Sequence, residues 1–232
     1  MSSPELPRGA GDWIGRLPAA VEILVVIGCA FFVPLLASLQ SIGAPLGLPP
    51  ISESMLRGLL VEESIVLACL AWFLRARGWT RATIGLRWTL PDIPAAFSLW
   101  ILALGAAWFA RMAMVSMFGR HSTLHIAPHF VERDLKLPTV IIVSVLGGIY
   151  EELFVSGYLV NVTKKRFGLW PAVNISAGLR LACHLYRGSG VVASVLPVGL
   201  LFGYWYGTHN RLWPVIVAHV ALDLATLSFL GL

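Results

Sequence analysis

Seven apolar runs separated by short polar connections constrain this chain more than any other feature. They extend from about Leu17 to Leu39, Met55 to Leu74, Pro94 to Phe118, Pro138 to Val162, Trp170 to Tyr186, Val191 to Tyr206 and Leu212 to Leu230. A helix needs roughly 20 apolar residues to cross a hydrocarbon layer about 30 Å thick, and most of these runs approach or exceed that length. Lipid offers backbone N–H and C=O groups no partner, so each run has to close its hydrogen bonds within itself, as a helix. The expected fold is all-α, a polytopic transmembrane helical bundle of about seven membrane-spanning helices. With 12% of its 232 residues charged and 57% hydrophobic, the chain has too little charge to cover a soluble globule of its size. The expected organisation is a tail over residues 1–16, N-terminal helices and loops over 17–137 and a helical core over 138–232, all one membrane domain.

Charge placement orients the bundle. Arg75, Arg77, Arg81 and Arg87 crowd the connection after the second run, Lys164-Lys165-Arg166 follows the fourth, and Arg211 precedes the last. The positive-inside rule puts these connections and the N-terminus in the cytoplasm of a multi-pass cell-membrane protein. The net charge of +5 then belongs to loops at the bilayer surface, and no basic run with interleaved aromatics suggests nucleic acid. The first run is too long for a signal-peptide core, with Pro34 a candidate kink, and Gly43 to Pro50 has the turn residues of an external loop. Cys29, Cys69 and Cys183 form no metal or disulfide spacing.

Against that apolar background the ionisable residues need explaining. Glu151 and Glu152 are adjacent in the fourth run, Arg180 and His184 lie in the fifth, and His219 and Asp223 in the last. A carboxylate at mid-bilayer costs at least roughly 2.5 kcal/mol, so such groups face a protein interior or a hydrated cavity. The spacing of four stacks Arg180 with His184, and His219 with Asp223, on one face of each helix. Three inward polar stripes can enclose a wet pocket with the ingredients of general acid-base chemistry. Neighbouring helical residues point about 100° apart, so Glu151 and Glu152 divide their roles. The same residues equally suit a transporter with a charged intramembrane cavity.

The stretches Glu151-Glu152-Leu153-Phe154-Val155-Ser156-Gly157-Tyr158-Leu159, His184-Leu185-Tyr186 and Leu212-Trp213-Pro214-Val215-Ile216-Val217-Ala218-His219-Val220-Ala221-Leu222-Asp223 resemble, in order, the three motifs of the CAAX protease and bacteriocin-processing (CPBP) intramembrane proteases. The resemblance covers residues 138–230 and implies a CPBP-like catalytic core cleaving a peptide bond in a membrane-embedded or membrane-associated protein or peptide. It implies that Glu151 and His184 activate a water, that His219 and Asp223 steady the oxyanion, and that Glu152 is structural. A divalent metal such as zinc between Glu151, His184 and His219 is the family's other option, and the sequence leaves metal-free and metal-dependent hydrolysis equally open. A non-catalytic membrane scaffold is the alternative outcome.

Three positions depart from the family. The first motif usually reads Glu-Glu-x-x-x-Arg, whereas this chain has Ser156; the second usually has Phe four residues before its His, where this chain has Arg180; and Asp223 stands where many relatives carry Asn. The expectation is that Arg180 reaches Glu152 from the neighbouring helix, replacing the missing guanidinium with a structural ion pair. Asp223 complicates the oxyanion role, because an ionised carboxylate cannot donate.

Other constellations weigh less. Glu62 and Glu63 lie toward the predicted outer end of the second run, where a solvated or interhelical role is expected. His121, His125 and His129 recur every four residues, but Pro128 breaks the spacing that would make them a metal site. Gly157 reads as a packing glycine, and Glu22 as a lone carboxyl without an assigned role.

Overall fold

The computed structural model describes residues 17–41, 51–124, 135–187 and 189–231. The tail over residues 1–16, the Gly43 to Pro50 loop, His125 and His129 fall outside these, as does the side chain of His121.

The chain is all-α, with seven helices among the described residues. They are α1 (Ala19–Ser41), α2 (Glu53–Ala76), α3 (Asp92–Leu124), α4 (Leu137–Phe167), α5 (Leu169–His184), α6 (Ser189–His209) and α7 (Trp213–Gly231). Helices α1, α3, α4 and α6 are each long and apolar enough to cross a membrane. Ser52 caps α2, its hydroxyl accepting from Met55 N at 3.2 Å, and α3 is kinked at Gly119.

Helix α4 is the axis of the fold. It contacts α1, α2, α5, α6 and α7, and every residue from Glu152 to Val160 is buried. A helix apolar all round suits such a central position. That same segment, Glu152–Val160, is π-helical, set between α-helical turns. A π segment widens the turn and tends to mark function. Here it leaves carbonyls for side chains from neighbouring helices: Ser176 Oγ donates to Val155 O at 3.3 Å and Tyr206 OH to Gly157 O at 3.0 Å. Gly157 does pack closely, since a Cβ there would meet Ile84 and Leu212.

Small residues set the helix spacing around this axis. Gly199, Gly203 and Gly207 recur every four residues on α6 and face Ala177, Val173 and Leu169, spaced the same way on α5. In lipid, where apolar contact alone gives little drive, small residues let backbones approach and gain dispersion contacts. Gly168, at φ 87°, forms the whole link between α4 and α5, a conformation that favours glycine.

One end of the bundle gathers the basic connections. Leu212 N donates to Gly85 O at 3.0 Å, Asn161 Nδ2 to Thr83 O at 2.7 Å, and Lys165 stands over the Trp79 ring. Arg211 ion-pairs with Asp92 at 2.7 Å. Glu22 also acquires a structural account here. Its buried carboxylate accepts from Arg77 Nε, from Trp79 Nε1 at 3.0 Å and from Tyr158 OH at 3.1 Å, tying α1 to α4 and the end of α2.

Candidate active site

The glutamates sit where α4 changes from α to π geometry, and α5 and α7 bring their polar stripes against them. Arg180 reaches both carboxylates: Nη2 is 2.8 Å from Glu152 Oε1 and Nη1 is 3.1 Å from Glu151 Oε2. Ser156, one turn beyond Glu152, donates to Glu152 Oε2 at 2.6 Å. The second departure in the motifs therefore places a guanidinium on the carboxylate that the first departure left without one. The two glutamates differ sharply in exposure, the Glu152 side chain being 0% exposed and that of Glu151 24%. Glu152 is enclosed, and Glu151 is partly exposed.

The histidines take definite roles from their partners. His184 Nδ1 lies 2.8 Å from the Arg180 carbonyl, which can only accept, so that nitrogen carries the proton. The lone pair on Nε2 then faces Glu151 Oε1 across 3.9 Å, too long for a direct hydrogen bond and open to a bridging water. His219 Nδ1 lies 2.6 Å from Glu152 Oε1 and 3.4 Å from Arg180 Nη1. The carboxylate only accepts and Arg only donates, so the shorter contact decides: Nδ1–H donates to Glu152, and Arg180 is a neighbour without a bond to the ring. His219 Nε2 faces Asp223 Oδ2 at 3.4 Å, and one proton held between them satisfies both.

Close helix approach makes this possible. A Cβ on Gly148 would come within 2.7 Å of Val220 Cγ2 and 3.3 Å of Val220 N, so this buried glycine lets α7 lie against α4 one residue from His219. Gly148→Val is expected to push α7 outward, lowering stability by roughly 1–3 kcal/mol. Unfolding in mixed detergent micelles measures it, and a variant as stable as wild type would mean that the approach does not position His219.

A metal held by Glu151, His184 and His219 does not fit these residues. His219 turns one nitrogen to Glu152 and the other to Asp223, and Arg180 places a fixed cation against Glu151 and beside His219. Among the described residues no three His, Cys, Asp or Glu side chains converge to hold a metal ion.

Two further groups belong to the neighbourhood. Glu63, on α2, is partly buried with its carboxylate against Gly147, one turn before Glu151, and Oε2 has no hydrogen-bond partner. It lies within electrostatic range of Glu151, Asp223 and His219, inside the polar cluster rather than at a solvated helix end. Arg187 lies three residues beyond His184 in the 3₁₀ turn Leu185–Arg187 that ends α5. The sequence flags Glu63 only as half of a carboxylate pair with a solvated or interhelical role, and its proximity to Glu151, like that of Arg187, depends on which helices adjoin.

Residues 133–225 match the family model described as type II CAAX prenyl endopeptidase Rce1-like. No curated protein and no solved structure matches the chain. The matched stretch contains α4, α5, α6 and most of α7, hence every glutamate, histidine and arginine of the cluster except Glu63. Over residues 133–225 the chain is thus similar to Rce1-like endopeptidases, in agreement with the three motifs read from its sequence.

Proposed function

We propose that the protein is an intramembrane endopeptidase that hydrolyses a peptide bond of a membrane-embedded or membrane-associated protein or peptide. One observation carries this reading: a partly exposed carboxylate, Glu151, lies 3.9 Å from the unprotonated nitrogen of His184, where a single water can bond to both. Glu151 takes the proton of the attacking water, and His184, its tautomer fixed by the Arg180 carbonyl, orients that water. Glu152, Ser156, Arg180 and His219 hold the frame, and Asp223 steadies His219 from the opening.

The reading is metal-free, since Arg180 supplies the positive charge next to Glu151. Processing is expected to continue in millimolar 1,10-phenanthroline; loss of activity restored by added zinc would replace this mechanism with a metal-dependent one. The N-terminus is assigned to the cytoplasm, because the connections bearing Arg81, Arg87, Lys164, Lys165 and Arg211 collect at one end of the bundle.

Comparative peptidomics of membranes containing wild-type protein or Glu151→Gln tests the function and finds the substrate together. The isosteric amide keeps the shape but cannot accept the proton, so peptides released by wild type are expected to vanish while the variant folds normally. If Glu151→Gln leaves the peptide profile unchanged, the protein is a scaffold or transporter instead.

A further inference from the structure

The following rests on the proteolytic reading. When water attacks, its oxygen bonds to the carbonyl carbon, its proton passes to Glu151, and the carbonyl π pair moves onto oxygen. That oxyanion forms near the Glu151 carboxylate and needs a donor. The motif groups offer no unengaged donor that is exposed. His219 Nδ1–H is given to Glu152 and its Nε2 is engaged with Asp223. His184 Nδ1–H is given to the Arg180 carbonyl. Arg180 is 4% exposed, its two terminal nitrogens lie against the two glutamates, and its Nε, though without a hydrogen-bond partner, is sealed from any substrate. Asp223, at a position where the resembled motif often has Asn, brings a carboxylate that competes for any proton present.

We propose that Arg187 stabilises this oxyanion, taking over the donor role that the last motif position cannot fill with Asp223. Helical spacing of three stacks Arg187 beyond His184 on the same side. Its Nε donates to Tyr186 OH at 3.0 Å, and the guanidinium lies 5.5 Å from the centre of that ring. The Tyr186 backbone N–H is in turn bonded to Ser38 Oγ of α1 at 3.4 Å, which fixes the turn. One edge of the guanidinium is thus pinned, while the terminal nitrogens make no hydrogen bond among the described residues. The group is in electrostatic range of His184, Glu151 and Asp223. A planar fork of N–H groups, partly buried and held in place beforehand, suits an oxygen that gains charge only in the transition state. As the intermediate collapses, the oxyanion pair re-forms the carbonyl, the C–N bond breaks, and the proton on Glu151 passes to the leaving amine. Arg187 is unchanged throughout.

The test follows product release over time in membranes carrying the full chain as wild type, Glu151→Gln, Arg187→Ala or Arg187→Lys. The products scored are the peptides that Glu151→Gln eliminates. Arg187→Ala is expected to slow their release on the order of 10²–10³-fold, Arg187→Lys to recover part of the rate, and millimolar guanidinium ion to accelerate Arg187→Ala but not wild type. Thermal unfolding of each variant in detergent checks that it is folded, and Arg187→Lys carries the comparison if the alanine variant is not. Release at the wild-type rate from folded Arg187→Ala overturns the inference and leaves the role of Glu151 standing. Equal loss in both arginine variants with no response to guanidinium ion assigns Arg187 to structure alone and also overturns it. A peptide profile indifferent to Glu151→Gln removes the proteolytic reading, and this inference with it.

Discussion

Arg180→Met is expected to destabilise the protein by roughly 3–5 kcal/mol, because it strips the charge from a buried pair while leaving the partner in place. The arginine side chain is 4% exposed and the Glu152 side chain 0%, so neither has water to fall back on. Methionine fills much of the same volume, so the loss reports charge rather than a cavity. Ser156 and His219 would remain as hydrogen-bond donors to Glu152, one neutral hydroxyl and one imidazole, in place of a guanidinium also shared with Glu151. Arg180→Lys should fall between, since a point ammonium cannot fork across two carboxylates. The decisive comparison is the double variant Arg180→Met with Glu152→Gln, in which neither member of the pair is left charged. It should recover a large part of the lost stability. Reversible unfolding in mixed micelles reads all four proteins, and an Arg180→Met variant within about 0.5 kcal/mol of wild type, the range of ordinary surface substitutions, would show that the ion pair is incidental to the fold.

How far the sequence reached depends on whether a feature is local. The helices were legible because an apolar run in lipid has one way to satisfy its backbone, and the fourth run, Pro138 to Val162, became the helix Leu137–Phe167. The polar stripes of α5 and α7 were legible from their spacing of four, and the structure brings both to the glutamates of α4. The π segment was not, since nothing in Glu152 to Val160 distinguishes it locally from an α-helical apolar run. Glu63 was read at the outer end of the second run and Arg187 was assigned no role, and only the packing of α2 and the 3₁₀ turn brings them within electrostatic range of Glu151. Glu22 had no visible partner because Arg77, Trp79 and Tyr158 lie 55, 57 and 136 residues away. The glycines at 199, 203 and 207 did carry a readable signal, a small residue every fourth position, whose meaning depended on finding α5 opposite.

The relocation of the guanidinium makes the largest prediction about coupling between two sites. The resembled motifs usually have Arg one turn beyond the second glutamate and Phe four residues before the His of the second motif; here the corresponding positions hold Ser156 and Arg180. Both nonetheless converge on one carboxylate, Ser156 on Oε2 at 2.6 Å and Arg180 on Oε1 at 2.8 Å. Ser156→Arg alone should be strongly destabilising, because position 156 is fully buried and a second guanidinium would crowd and repel the first. Arg180→Phe alone should be destabilising for the opposite reason, by leaving Glu152 short of charge. Together they restore the relatives' arrangement, returning one cation to Glu152 and giving the ring the space beside Gly199, whose missing side chain now accommodates Arg180 Cδ. A favourable coupling energy of roughly 2–3 kcal/mol is therefore expected between the two sites, at the upper end for residues in one buried network. Unfolding of the wild type, both singles and the double in mixed micelles completes the cycle. If the double variant is as unstable as the two singles added together, Arg180 is not doing the job of the absent motif arginine, and the framework around Glu152 must be held by other contacts.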